Sequence, residues 1–257
     1  MNGFKVLGYI LAYKSVSACR ASCKYSVRVF KRDGKTVDFH FGYIFNGSKD
    51  EKAVINYLAD RKFTTAFVDG THDNLERINR CRTTVWKGGM VHRIKGNLLH
   101  LMRGQIFEIE GNSIFTFGGG ESTDKDMRVE QGLWWREEEP TPAEMADGAR
   151  RLDEAGCRVD YIVTHEPPSL VKSAMLLRRG FADRVNKLNG YFEEIGRSCE
   201  YKRWYFGSLH EDRVITERHT CVFRKLLPLG EGPAARGVSG ENSADKERKS
   251  DVEFVMS

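Results

Sequence analysis

The sequence has no Cys-x-x-Cys pair among its six cysteines, Cys19, Cys23, Cys81, Cys157, Cys199 and Cys221, so it lacks the usual spacing of a zinc ribbon or a dithiol redox motif. Scattered cysteines of this kind fit a reducing compartment, with most of the thiols buried and inert. The opening MNGFKVLGYILAY is apolar but ends in no small-residue cleavage pattern, so no secretory leader is expected. No apolar run approaches bilayer-spanning length. A cytoplasmic chain with no membrane partner is therefore expected. There is also no long Lys/Arg block, and the net charge is a mild +5. Nucleic acid is not indicated, although phosphate-bearing partners are compatible with such a charge. Gly118-Gly119-Gly120 lacks the lysine and spacing of a nucleotide-binding P-loop. Ser169 and Ser208 lack the base and orienting group of a serine hydrolase.

What is present is ordinary globular material: 257 residues, 40% hydrophobic and 30% charged. Residues 49–62, KDEKAVINYLADRK, place Ala53, Val54, Tyr57 and Leu58 on one helical stripe. FTTAFVDG predicts a buried strand ending in a tight turn. A meander follows in VHRI, LLHLMRGQIFEIE and SIFTFGGG, punctuated by Lys95-Gly96-Asn97 and Glu110-Gly111-Asn112. Thr141, Pro142 and Glu144 form a helix start with a capping box, and Gly156 is a natural stop. RVDYIV predicts a strand, and FADRVNKLNGYFEEIG a helix with Val185, Leu188, Phe192 and Ile195 on one face. YKRWYFG and HTCVFRKLL predict two further strands. From about Leu229 the chain becomes small, polar and charged, and residues 229–257 are expected to be a disordered tail. Helices alternating with strands and hairpins suggest an α/β layered fold with a mixed sheet or two packed sheets.

Three predicted strands end in a turn that carries a histidine: His72 in FVDGTHDN, His165 in THEPPS and His210 in YFGSLHEDR. Strand ends in layered α/β folds are where sites are built. Imidazole is both the common ligand of zinc, iron and manganese and the usual acid at neutral pH. A structural role is the simpler reading of His92, His100 and His219.

The order GTHDN, THEPPS, YFGSLHEDR resembles the calcineurin-like metallophosphoesterase family. FNGSKDEKAVINYLADRKFTTAFVDGTHDN, VHRIKGNLLHLMRGQIFEIEGNSIFTFGGGES, WWREEEPTPAEM and VDYIVTH are similar to a bacterial or phage-type branch of it, covering roughly residues 41–227. The resemblance implies a layered sandwich of two mixed β-sheets flanked by helices over residues 1–228, with residues 1–38 divergent. It also implies hydrolysis of a phosphoester with the help of one or two divalent ions, Mn, Fe, Zn or Ni. The family's motifs are D-x-H, G-D, G-N-H, a lone H and G-H-x-H. Carried over position by position, the resemblance implies His72 as the acid near the leaving group, with Thr71 standing as a weak oxygen donor where the family has asparagine. The lone histidine is His165, and the last motif keeps His210 but has Ser208 at its first position. His40 falls where a bridging carboxylate belongs, and Tyr9 and Leu11 stand in for the first aspartate and histidine. His40, His165 and His210 would then offer three nitrogens to a single ion. Two functions stay open: a phosphoester hydrolase with a reduced or altered metal site, and an inactive relative that uses the same cleft to bind a partner or phosphorylated ligand. Arg103, Arg128, Arg178 and Arg179 are candidate phosphate contacts, and Trp134-Trp135 either lines a pocket or packs on the sheet.

Overall fold

A computed structural model describes residues 51–60, 64–180, 184–223, 227, 229 and 230 with side chains, and residues 25–30, 36–41, 49–50 and 254–256 by backbone alone. In chain order the elements are β1 (Tyr25–Phe30), β2 (Thr36–Phe41), α1 (Lys49–Ala59), β3 (Thr65–Phe67), α2 (Leu75–Asn79), β4 (Thr83–Trp86), β5 (Gly89–Lys95), β6 (Leu98–Leu101), β7 (Gln105–Ile109) and β8 (Asn112–Phe117). The chain continues through α3 (Lys125–Glu130), a 3-10 turn (Arg136–Glu138), α4 (Pro142–Glu154), β9 (Tyr161–Thr164), α5 (Ser169–Arg178), α6 (Lys187–Ser198), β10 (Arg203–Phe206), β11 (Arg213–Val214), β12 (His219–Cys221) and β13 (Phe254–Met256).

Two mixed sheets carry the fold. One has the order β11-β12-β10-β9-β8-β7, in which β8, β9, β10 and β12 run parallel; the other has the order β3-β6-β5-β4, in which only β3 and β6 are parallel. A third, antiparallel set is β13-β1-β2. The sheets meet face to face: Ala66, Val68, Val91, Leu99 and Leu101 pack with Phe107, Ile109, Ile114, Tyr161, Val163 and Tyr205. The other face of the larger sheet packs Phe115, Phe117, Ile162, Trp204 and Phe206 onto Leu152, Val171, Met175, Leu188, Phe192 and Ile195 of the helices. Both faces are therefore covered, which is why IFTF, YIV and WYF are continuous apolar runs instead of alternating ones. On the smaller sheet α1 packs against β5 and β6, and α2 against β5.

Several expectations need correction. The helix expected from residue 181 begins at Lys187, because Asn186 takes an extended backbone and caps it reciprocally with Asn189. Val185 precedes that helix and is exposed. The last strand stops at Cys221. Helix α5 carries no sequence signal as clean as the others: its apolar residues ring it, burying Val171 and Met175 but exposing Leu170 and Leu177. By contrast the capping box at Thr141 and Glu144 forms as expected. Tyr9, Leu11, the apolar first segment and residues 231–253 of the expected tail lie outside the described residues, as does the side chain of His40, whose backbone belongs to β2.

Candidate functional site at the strand ends

The C-terminal ends of β3, β8, β9 and β10 are tied together by backbone hydrogen bonds. Gly119 N–H donates to the Asp69 carbonyl (2.8 Å), bridging the two sheets, and His165 N–H donates to the Phe117 carbonyl (3.2 Å). Gly207 N–H and Ser208 N–H both donate to the His165 carbonyl, at 3.1 and 3.0 Å. The three turns bearing His72, His165 and His210 are thus neighbours. His72 and His210 both have left-handed backbone, at φ 86° and 54°. Such backbone in a side chain-bearing residue persists only where its surroundings fix it, a frequent feature of functional turns.

His72 Nε2 lies 3.1 Å from both carboxylate oxygens of Asp124, and each side chain is only 14% exposed. Burial opposes ionisation of Asp124, but the bond to His72 and the nearby positive charge hold its carboxyl below the usual range. An ionised carboxylate only accepts, so Nε2 carries the hydrogen.

His165 is buried, and desolvation lowers its pKa to about 4 against the opposing pull of Glu166 and Asp69. It is therefore neutral at pH 7, and its Nε2 accepts the Thr71 N–H at 3.3 Å. Its ring lies against Gly70 and Gly120: a Cβ at Gly70 would sit 2.9 Å from the His165 Cε1. His210 stacks near Phe223, with ring centres 5.2 Å apart, and its N–H donates to the Gly207 carbonyl. Ser208 Oγ is buried without a hydrogen-bond partner. Thr71 is presented through its amide, and its side chain sits beside Gly120.

Four buried carboxylates around these turns, Asp69, Asp73, Glu138 and Glu166, are committed. Asp69 accepts from His100 Nε2 (3.0 Å) and from Arg103 Nε and Nη2 (3.1 and 2.6 Å). Asp73 Oδ2 accepts the Gly70 N–H (2.8 Å) while Oδ1 is buried without a partner, and burial raises its pKa to about 8, so it holds a proton at pH 7. Glu138 is buried with Arg128, whose Nη1 also reaches Ser122 Oγ. Glu166 is held by Lys172 Nζ (2.7 Å) and Asn189 Nδ2 (3.1 Å), which tie its turn to α5 and α6. A divalent ion needs anionic oxygens and open imidazole lone pairs. The described residues alone do not fit one: His165 Nε2 receives an amide hydrogen and each of these four carboxylates has a cation, an amide or a proton of its own. Among the described residues, no group of three or more His, Cys, Asp or Glu side chains is placed to hold a metal.

Arg103 and Arg128 are not free phosphate contacts, since Arg103 is buried on Asp69, Glu144 and the carbonyls of Glu137 and Glu138, and Arg128 on Glu138 and the Leu133 carbonyl. Arg179 pairs with Glu211, whereas Arg178 is exposed. Trp134 and Trp135 are half-buried, with Lys125 Nζ 4.5 Å from the Trp134 ring centre and Arg128 5.8 Å from that of Trp135. His92 and His100 form a buried pair, Nδ1 to Nδ1 at 3.0 Å, and His219 bonds Tyr201 and Thr216. No sequence pattern pointed to Asp124 as the partner of His72.

Comparison with known proteins yields no matching family model, no matching curated protein and no matching solved structure. Among the described residues no helix is long and apolar enough to cross a membrane.

Proposed function

We propose that this chain is a phosphoester hydrolase of the calcineurin-like metallophosphoesterase type with a reduced metal site, its cleft lying where His72, His165 and His210 meet. The observation that carries this reading is the contact of His72 with Asp124. A half-buried carboxylate that fixes the tautomer of an equally half-buried imidazole at a strand end is the arrangement of a general acid and its orienting group. In its protonated form His72 keeps Nε2–H on Asp124 and gives the Nδ1 proton to the departing oxygen, so that the alkoxide need not leave as an anion. The layered arrangement of two mixed sheets between helices accords with the metallophosphoesterase sandwich. A reducing, cytoplasmic setting goes with the reading, since Cys81, Cys157, Cys199 and Cys221 are free thiols.

A second reading is favoured by the donor set. The Thr71 amide on His165 Nε2 and the Arg103 clamp on Asp69 satisfy the groups that would otherwise draw a cation. The cleft would then bind a phosphorylated ligand without hydrolysing it.

One experiment separates the two. The purified full chain is incubated with Mn²⁺, Zn²⁺, Fe²⁺ or Ni²⁺, gel-filtered and analysed for retained metal, then assayed on p-nitrophenyl phosphate and bis(p-nitrophenyl) phosphate. Retained metal with turnover of either ester supports the hydrolase, and a fall in His72→Gln is then sought on phenyl phosphate, whose leaving group needs the proton. No retained metal and no turnover, with phosphate protecting the fold against heat, supports the binding module. Neither turnover nor phosphate protection overturns both.

A further inference from the structure

Two of the free thiols are neighbours. Cys157 follows α4 on the way into β9, and Cys199 ends α6 on the way into β10. Between them Glu200 N–H donates to the Cys157 carbonyl (2.8 Å) and Val159 N–H to the Glu200 carbonyl (3.0 Å), which makes Arg158 and Glu200 a parallel bridged pair. Arg158 and Glu200 take the solvent face, 79% and 80% exposed, and form an ion pair there at 3.7 Å. Cys157 and Cys199 lie one residue earlier on each segment; Cys157 leaves the α4 turn with left-handed backbone (φ 51°), and both side chains turn into the same core cluster. Cys199 belongs to the core with Phe192, Ile195 and Trp204, and Cys157 is half-buried and packs against the same cluster. Neighbouring strands lie about 5 Å apart, within the roughly 4.4–6.8 Å Cα separation that a disulfide spans.

We propose that Cys157 and Cys199 are a redox-responsive pair that closes to a disulfide when the protein meets a hydroperoxide. Cys157, the more accessible of the two, reacts first. Its thiolate attacks the peroxide oxygen, the O–O bond breaks, and a sulfenic acid and water form. The Cys199 sulfur then attacks the Cys157 sulfur, the S–S bond forms, and the sulfenic oxygen departs as water with the Cys199 proton. In sum two thiols lose two hydrogens, and one hydrogen peroxide becomes two waters. Burial, aided by the Cys157 contact, pushes the Cys199 thiol up to about 11. The second step is therefore slow at neutral pH and faster in mild alkali. The bond would staple the entries of β9 and β10, at the ends opposite to those followed by His165 and Gly207, and does not depend on the phosphoester reading.

The test uses the reduced full chain, treated with hydrogen peroxide at neutral and mildly alkaline pH, denatured, alkylated and peptide-mapped. The expected result is a Cys157–Cys199 linked peptide that forms faster at the higher pH and is reversed by dithiothreitol. It is abolished in Cys157→Ser and kept in Cys81→Ser. The linked form should melt about 5 °C above the reduced form, because the closed loop restricts the unfolded chain. Cys199→Ala is the second control, and Cys157→Ser, at the half-buried position, keeps the test open should the core variant not fold. Cys157 recovered as sulfinic acid with Cys199 alkylated, or links through Cys81 or Cys221 instead, would overturn the proposal.

Discussion

Arg103 Nη2 lies 2.6 Å from Asp69 Oδ2, and both side chains are almost fully buried. The pair fixes the end of β3. Arg103 also donates to Glu144, in the capping box of α4, and to the carbonyls of Glu137 and Glu138 in the preceding 3-10 turn. Burial alone would favour a neutral Asp69, yet Arg103 and His100 together hold its carboxyl far below the ordinary range. The strand end that presents His72 is thus anchored by a charge whose ligands come from three separate segments.

Removing one partner of such a pair leaves an uncompensated buried charge. Arg103→Ala is expected to cost about 3–5 kcal/mol of stability. Urea unfolding with an unchanged slope would report it as a lowered midpoint. Arg103→Lys keeps the charge but loses the planar fork, so its loss should be smaller. An Arg103→Ala variant as stable as wild type would show that the clamp is not formed.

Gly118 stands where no Cβ can fit: the added atom would lie 2.1 Å from Asp69 Oδ1 and 2.6 Å from the Asp69 carbonyl oxygen. Gly118→Ala is therefore expected to destabilise by about 3 kcal/mol. Gly132 is the control. It has a left-handed φ of 65° with nothing near the added Cβ, so Gly132→Ala should cost about 1 kcal/mol. Thermal melts of the two variants check the ranking.

Much of this site is legible in the sequence because its strands are short, apolar and stopped by polar turns. FVDGTHDN, YIVTHE and WYFGSLH each announce a strand end with a histidine just beyond it, and the turns do lie side by side. The partners of those histidines are not legible. Asp124 lies 52 residues from His72, in a loop with no periodicity, and only the sheet topology brings them together. Arg103 reads as a basic surface residue, since nothing local shows that Asp69, 34 residues earlier, will be buried against it. Helix α5 escapes for a different reason: apolar residues all around a short helix leave no stripe to detect.

The protonated Asp73 makes stability fall as pH rises. Burial, opposed by the Gly70 N–H and reinforced by the charges of Asp69 and Glu138, places its pKa at about 8, above the ordinary 3.8. The native state then binds a proton that the unfolded chain has released. The resulting stabilisation is complete below about pH 4 and is lost as pH climbs to about 8. Asp73→Asn mimics the protonated form and retains an acceptor for Gly70. It should therefore be more stable than wild type at pH 8, by about 5 kcal/mol, with the gap closing near pH 4. A gap independent of pH would show that Asp73 is ionised in the fold. His165 works in the opposite direction. Its pKa of about 4 lies below the ordinary 6.5, so its contribution is present above pH 6.5 and is lost as pH falls towards 4. Wild type and Asp73→Asn share His165, so its contribution cancels in the gap between them.

If His72 is the acid, its importance depends on the leaving group. A good leaving group such as p-nitrophenolate departs without a proton, whereas phenolate or an alkoxide needs one. His72→Gln should lower kcat on phenyl phosphate by about 100-fold or more and on p-nitrophenyl phosphate by much less, with KM nearly unchanged in both cases. Asp124→Asn leaves the imidazole in place but replaces a charged acceptor with a group that can also donate, so the tautomer is no longer fixed. It should show the same leaving-group dependence at a smaller magnitude, about 10-fold. Because the two residues act as a unit through the 3.1 Å contact, the double variant should be no worse than His72→Gln alone. Equal losses on good and poor leaving groups would assign His72 to binding instead. Fully additive losses would mean that Asp124 acts on something other than the imidazole.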